Sequence, residues 1–482
     1  MWDQTPVLHV SSPAAAVVEE IVAGWLVRLF GLPATTSVGL TSGCATANLV
    51  ALAAARHQVL TAAGWDPDRQ GLIGAPAPRI LVSRGCHVTV PRALRVLGLG
   101  GQIHPVDTDT QGRMRLDRLA EVLAATTGPL VVCAQVGTVD TGAVDAVAEI
   151  GALTHAHGGW LHVDAAFGMW AAASPRLRAA VPGLAGLAAA DSWATDAHKW
   201  LNVPYDCGVV LCRHPDAHRA AVRAQADYLS LSPPSATVPA ADRPTDAGPV
   251  DPLPAERHPA EYTLEMSRRA RALVLWATLR HLGTDGVTDL VERCCALAAR
   301  MATRLAGVDG ATVVGEVVLN QVLVRFTPPH PGVDPMAGHP DRPAGPAASV
   351  QMGDSANSVG DAHTAAVVAA FQRSGVGWAS PTRWQGRTML RLSVCNWQTD
   401  EADVDAAVAA LVDAHQRLAA GFPAARAITV PAPAGEPPPT VVLRMVSAVP
   451  VVPAVPPRPA SDEADRVLNN PVPETLIPEG SA

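Results

Sequence analysis

"ADSWATDAHKWLNVPYDCG", residues 190–208, is the stretch on which the reading of this chain turns. "SWATD" reads as a short buried strand, and "CGVVLCR", starting at Cys207, reads as the next one. Between them Lys199 follows a histidine and precedes a turn that carries Pro204. Its neighbours Trp200, Leu201 and Val203 are apolar, and the first carboxylate after it is Asp206. Burial penalises the charged form of a lysine, so its pKa is expected to fall there. A lysine with a lowered pKa is a nucleophile able to form a Schiff base. A solvated lysine at a strand end is the plain alternative, and the rest of the chain has to decide between them.

Working outward from that stretch, helices and short strands alternate. "SPAAAVVEEIVAGWLVRLFGLP" has helical periodicity, opened by Ser12 or Pro13 and closed by Gly31 and Pro33. "ANLVALAAARHQVL" is a helix, "RILVS" a strand, "PRALRVLGLG" a helix and "QIHPV" a strand. "LDRLAEVLAAT", "LVVCAQV", "DAVAEIGALTHAHG" and "WLHVD" continue the alternation. Strands joined by helices of this length predict an α/β fold with a mostly parallel, helix-covered sheet, in which ligands gather at the carboxyl ends of the strands. After Arg213 the pattern changes. Residues 229–260 read as a long Pro, Ser, Ala and Asp-rich loop, and the helices "LEMSRRARALVLWATLRHLG" and "VTDLVERCCALAARMATRLAG" follow. Strands at "NQVLVRFT" and "TMLRLSV", a helix near 362–374 and a last helix at "EADVDAAVAALVDAHQRLAA" make a smaller α+β domain. The expected organisation is an N-terminal helical segment over 1–33, a large domain over 34–264 and a small domain over 265–425. A disordered insertion is expected at about 328–360, and a flexible Pro/Ala-rich tail over 426–482.

Composition narrows the class. The 482 residues are 48% hydrophobic and 17% charged, with a formal net charge of −8. No basic run supports nucleic-acid binding. No apolar run reaches the roughly 18 residues of a membrane span, and "MWDQTPVLHV" lacks the regions of a signal peptide. The 8 cysteines include no C-x-x-C pair and read as reduced thiols of a cytoplasmic protein. His155, His157 and His162 raise a metal site, but two lie at a helix end and one within a strand, and no metal is expected.

The candidate functional groups fall where strands end. "LHVDAAFG" puts Asp164 at the mouth of a buried strand, with the small residues Ala165 and Ala166 next. "TSGCATAN" puts Gly43 and neighbouring amides at a helix N-terminus suited to a phosphate. "RGCHVTV" puts His87 after a strand, and "AQVGTVDTGAVD" puts Thr138 and Asp140 in another strand-end loop. An anion site, a carboxylate, a flat imidazole and a Schiff-base lysine are the four groups that pyridoxal phosphate needs. The carboxylate keeps the pyridine nitrogen protonated, so the ring can accept the electron pair released at Cα. Arg268, Arg269 and Arg391 are further candidates for phosphate or substrate contact.

"VDAAFG" followed by "DAHKW" resembles the group II pyridoxal-phosphate decarboxylases, the fold type I family of glutamate and aromatic amino acid decarboxylases. The likeness runs from about Trp2 to Asp413. It implies that Lys199 carries the cofactor as a Schiff base and that Asp164 pairs with the pyridine nitrogen. It implies that His87 stacks on the ring and orients the substrate carboxylate, with Ala166 beneath the ring. Asp196 and His198 are placed near the phosphate with the amides of Gly43, Cys44 and Ala45, and Thr138 completes the cofactor-binding set. The implied function is decarboxylation of an L-amino acid, a small molecule, to its amine and CO₂ by a cytoplasmic homodimer.

Three departures from the family keep other readings in view. Relatives usually carry a longer region before the segment matching "WDQ", so a truncated or misassigned start is an expectation here; Ala45 stands where relatives usually carry serine or threonine, and the 229–260 loop has no tyrosine. Without a tyrosine to protonate Cα, oxygen could intercept the carbanion and give an aldehyde. Transamination, or a catalytically inactive relative acting as a binding partner, are the remaining alternatives.

Overall fold

The computed structural model describes residues 5–224, 257–328 and 348–421. Of the loop expected over 229–260, residues 229–256 lie outside the described residues, as do 329–347 and the tail expected over 426–482; Pro259–Tyr262 form a short 3-10 turn. The described chain forms two compact units. One holds the described residues of Met1–Val136 and Val144–Asp289; the other holds Gly137–Ala143 and those from Leu290 onward.

The first unit is built on seven strands: β1 Ser37–Thr41, β2 Arg79–Ser83, β3 Ile103–Val106, β4 Leu130–Gln135, β5 Trp160–Asp164, β6 Ser192–Asp196 and β7 Gly208–Cys212. Their order across the sheet is β1-β7-β6-β5-β4-β2-β3. The contiguous pairs β3–β2, β2–β4, β4–β5 and β5–β6 are parallel. Only β7 is reversed, antiparallel to both β6 and β1. The parallel strands are apolar runs because helices cover both faces. β4, "LVVCAQ", is buried at every position. The helix Cys44–Ala62 lies over the sheet, with Val50, Ala51, Leu52, Ala54, Ala55 and Leu60 buried. Its alanines allow close approach to the strands.

The sheet is pinned below its carboxyl edge by a buried acid. Asp145 accepts from the backbone N–H groups of Met114 and Gln135, each at 2.7 Å. It thereby ties the loop after β3 to the end of β4.

The second unit has a four-stranded antiparallel sheet, ordered β10-β11-β9-β8, from β8 Ala311–Val313, β9 Gln321–Phe326, β10 Ser380–Trp384 and β11 Arg387–Ser393. The helices Ala348–Ser374 and Glu401–Gly421 belong to it. The sequence reading missed β8 and β10, whose alternating or partial burial leaves little apolar signal. It also missed β1. The disordered insertion expected over 328–360 needs correction at its C-terminal end, because the helix already starts at Ala348. The reading averaged composition across the whole segment, whereas its last proline is Pro346 and nothing after that blocks helical hydrogen bonding. The two helices expected after residue 263 are found within Arg271–Ala306, separated at Gly283, whose φ is 63°. Only a glycine enters that left-handed region without cost.

Burial sets an acid limit on this fold. It pushes the imidazoles of His162 and His218 down, to about 4 and about 3. The Asp145 carboxyl is pushed up to about 6, again by burial. The two histidines bind protons when unfolded but not when folded, so their contribution is present above about 6.5 and is lost as pH falls. Asp145 binds its proton more readily when folded, so its contribution improves over the same range. The two histidines outweigh the one acid, and His363, also pushed down to about 4, acts in the same direction, so stability falls between pH 6 and pH 4. Urea denaturation at pH 7 and pH 5 is expected to show the lower stability at pH 5; equal midpoints would contradict this assignment.

Candidate active site

Because only β7 is reversed, the carboxyl ends of β1, β2, β4, β5 and β6 share one edge of the sheet. β1 ends at Thr41 and leads through Gly43 into the helix Cys44–Ala62; β5 ends at Asp164 and β6 at Asp196. β7 begins at that same edge with Gly208. A Cβ at Gly208 would fall 2.4 Å from the carbonyl carbon of Gly43 and 2.5 Å from its Cα. The glycine is required by space, since its neighbour is backbone and cannot step aside.

Lys199 sits in the turn after β6 with its side chain 24% exposed, and its Nζ lies 3.1 Å from Asp196 Oδ2. The other oxygen of Asp196 accepts the Cys44 backbone N–H at 2.5 Å. His198 Nε2 lies 3.6 Å from Asp196 Oδ1. One carboxylate therefore holds both the first N–H of the helix and the lysine ammonium. The expectation of a lowered lysine pKa is corrected here. Burial does lower it, but the carboxylates of Asp196 and Asp164 outweigh burial and hold the ammonium above its ordinary value. The sequence reading looked for carboxylates after Lys199; the partner is three residues before it.

The turn itself is firmly held. Asn202 and Asp206 adopt positive φ, 59° and 74°, which is uncommon outside glycine. Asn202 Nδ2 donates to the Trp200 carbonyl at 2.6 Å. Asp206 Oδ1 accepts from Nε and Nη2 of Arg271 at 3.0 and 2.9 Å.

Asp164 is 5% exposed. Its donors are all neutral: Asn48 Nδ2 at 3.2 Å, the Ala166 N–H at 3.2 Å and the Cys44 thiol at 3.6 Å. Burial and the neighbouring carboxylates push the Cys44 thiol well up, so it stays protonated and donates. Ala166 is locked in place as its carbonyl accepts from the Asp196 N–H at 2.9 Å. His87 lies in the turn after β2, half-buried, with Nδ1 2.9 Å from Thr89 Oγ1. Gln135, paired with Asp164 across β4 and β5, keeps a buried amide nitrogen with no partner.

The structure thus brings Gly43, Cys44, Asp164, Ala166, Asp196, His198 and Lys199 to one edge of the first unit, with Ala45 in the first turn of the helix and His87 after β2. Thr138 belongs to the second unit. Its hydroxyl is engaged within its own loop, 2.7 Å from Thr141 Oγ1 and accepting the Ala143 N–H at 3.1 Å. Asp140 there accepts from Thr382 Oγ1 at 2.7 Å. Arg268 is tied to Glu19 by two 2.9 Å contacts, Arg269 lies 3.9 Å from Asp206, and Arg391 donates to the Val139 carbonyl at 3.1 Å. His155 bonds Asp191 and His157 bonds the Leu153 carbonyl, both at 2.9 Å. The sequence reading passed over Asn48, Thr89 and Gln135, and it considered His162 only as a metal ligand. A polar residue inside the alanine-rich face of "ANLVALAAA" was the available signal for Asn48.

The site fits pyridoxal phosphate on its own geometry. A buried carboxylate fed by neutral donors can take a cationic ring nitrogen, an amine stands close by, and a helix N-terminus shaped by two glycines offers N–H groups to an anion.

That architecture is the fold type I α/β class. The family model described as "Pyridoxal-dependent decarboxylase conserved domain" matches residues 4–248. The chain belongs to that family of pyridoxal-dependent decarboxylases. It is 32% identical over 337 residues to L-2,4-diaminobutyrate decarboxylase of Rhizobium meliloti, covering 67% of this chain and 59% of that protein. Phenylacetaldehyde synthase of Arabidopsis thaliana is 26% identical over 336 residues, covering 66% of this chain and 62% of that protein. The chain thus spans less than two thirds of the length of these relatives. Among solved structures, Oryza sativa TDC with PLP and tryptamine superposes with a TM-score of 0.69 at 23% identity, over 86% of this chain and 79% of that one.

Gly208→Ala is expected to cost about 1–3 kcal/mol of stability by overpacking the Gly43 backbone, and to weaken binding of pyridoxal phosphate as well. Urea denaturation and a fluorescence titration with the cofactor measure the two effects. Retention of both would contradict the close approach.

Proposed function

We propose that this chain decarboxylates an L-amino acid to its amine and CO₂, using pyridoxal phosphate held by Lys199. The observation that carries the reading is the convergence of Lys199, Asp164 and the Cys44 N–H at one strand edge, within a family that depends on this cofactor. When bound, the cofactor supplies an aldehyde that condenses with amines and a ring that accepts an electron pair.

The chain's own groups do the rest. Lys199 provides the amine, and its ammonium has to leave Asp196 and give up a proton before it can act as a nucleophile. Asp164 meets the ring nitrogen with a negative charge that its three neutral donors stabilise without cancelling. Ala166 leaves space for one ring face. His87 stands for the other face and for the substrate carboxylate. Gly43 and Ala45 offer backbone N–H groups to the phosphate, Cys44 shares their turn with its own N–H held by Asp196, His198 stands beside them, and Thr138 is assigned to the cofactor by resemblance. The substrate is a free amino acid and the working form a homodimer in the cytoplasm; no helix among the described residues is long and apolar enough to cross a membrane.

An aldehyde-forming reaction with molecular oxygen is the second reading. Tyr262 is buried against His218 and beneath the Arg257 guanidinium. Tyr205 is exposed, with its ring 5.0 Å from that of His198, and Tyr228 lies outside the described residues. Among the described residues no tyrosine is thus assigned to the protonation of Cα, and two relatives are named for aldehyde synthesis.

Lys199→Arg is expected to abolish the borohydride-sensitive visible absorbance that appears when pyridoxal phosphate is added, together with CO₂ release from a panel of amino acids. A parent protein that never acquires that band would fit an inactive binding partner and defeat the proposal. Amine equal to CO₂ supports the first reading, and aldehyde with peroxide supports the second.

A further inference from the structure

A thread of hydrogen bonds runs behind Asp164, and its direction is forced at every link. Asp164 as a carboxylate only accepts, so Asn48 must present its Nδ2 side to it, at 3.2 Å. The same nitrogen reaches Thr89 Oγ1 at 3.3 Å. Asn48 Oδ1 is then left to accept from His162 Nε2 at 2.9 Å, which fixes the proton of His162 on that nitrogen. At the other side of the ring, Trp160 Nε1 can only donate, and it gives to Ser192 Oγ at 2.9 Å. Ser192 therefore turns its own proton towards His162 Nδ1, 3.0 Å away. A second branch leaves Asn48 through Thr89. His87 Nδ1 faces the Thr89 N–H at 3.4 Å, so that nitrogen carries a lone pair and the Thr89 hydroxyl donates to it. Burial keeps His162 neutral, down to about 4, so the thread holds one polarity across the physiological range.

We infer that Asn48, oriented by Trp160, Ser192 and His162, is the positioning residue that fixes both the Asp164 carboxylate and the tautomer of His87. The inference rests on the proposed function, in which Asp164 meets the cofactor's ring nitrogen and His87 its face. Asn48 touches neither cofactor nor substrate in this assignment; it acts through the two side chains it holds. Removing its N–H leaves Asp164 with one donor fewer and a stronger hold on any proton it shares. A ring nitrogen that surrenders its proton to Asp164 withdraws less charge from the lysine linkage. That linkage then keeps its own proton to higher pH.

Two measurements test this on the full chain. Histidine-selective ¹⁵N NMR without cofactor is expected to show His162 and His87 as neutral tautomers protonated at Nε2 at pH 7.5. A proton on Nδ1 of His162 would overturn the thread. In the second, pyridoxal phosphate is bound to wild type, Asn48→Leu and Asn48→Ala, neither of which can donate to Asp164. Both variants are expected to retain borohydride-reducible attachment at Lys199, to bind the cofactor about tenfold more weakly, and to move the pH midpoint of its visible band upward by about one unit. Variants with the wild-type midpoint and affinity would overturn the role of Asn48. A wild type that fails to bind the cofactor would instead overturn the proposed function, while the tautomers still judge the thread.

Discussion

The Asp196 carboxylate is the interaction on which the site depends. It closes the strand β6, accepts the Cys44 N–H at the head of the helix Cys44–Ala62, and lies 3.1 Å from the Lys199 amine. A charge-assisted bond to a helix N-terminus and an ion pair to a half-buried lysine both strengthen in a low dielectric. Neither partner could be placed without the other two strands that meet there: β1 delivers Cys44, and the reversed β7 lets its backbone pass Gly43 closely enough to keep the edge narrow. The Asp196 N–H in turn holds the Ala166 carbonyl, so the same residue that pairs with Lys199 also sets the backbone next to Asp164. The arrangement joins the candidate site groups from distant parts of the sequence through a single side chain and its own amide.

The large sheet was legible in the sequence because its strands are short apolar runs separated by helices, and a doubly covered sheet needs little else. "RILVS", "LVVCAQV", "WLHVD" and "SWATD" fall within a residue of the strands found. β1, "SVGLT", was not read, since Ser37, Gly39 and Thr41 dilute its apolar signal while its pairing with β7 comes from far along the chain. The groups at the strand ends could be proposed from position alone. Their mutual chemistry could not. The charge state of Lys199 depends on how near Asp196 is folded against it, and the reading of one side of the lysine missed the partner on the other. The polar groups behind the site were harder still. Asn48 looks like a helix residue among alanines, and His162 like a strand residue; only packing makes them neighbours.

Cys44 carries a related lesson. As a residue type in a candidate anion loop it reads as filler or as a reactive thiol. Between Asp164 and Asp196 its burial and two negative charges keep it protonated, so it serves as a donor to the acid and has little nucleophilic character. The surrounding charges decide what the sulfur is.

The reversed β7 has a consequence for how the chain can change over generations. Most other site residues are followed by helices, whose entry loops can lengthen without moving the strand ends. Lys199 instead rides on a turn between two strands that are hydrogen-bonded to each other along their length. An insertion there has no helix to absorb it and would pull one strand out of register, turning buried side chains to the wrong face. Diversification around the site is therefore steered into the loops after β2 and β5, while the lysine turn keeps a fixed length, its bends set by Asn202 and Asp206.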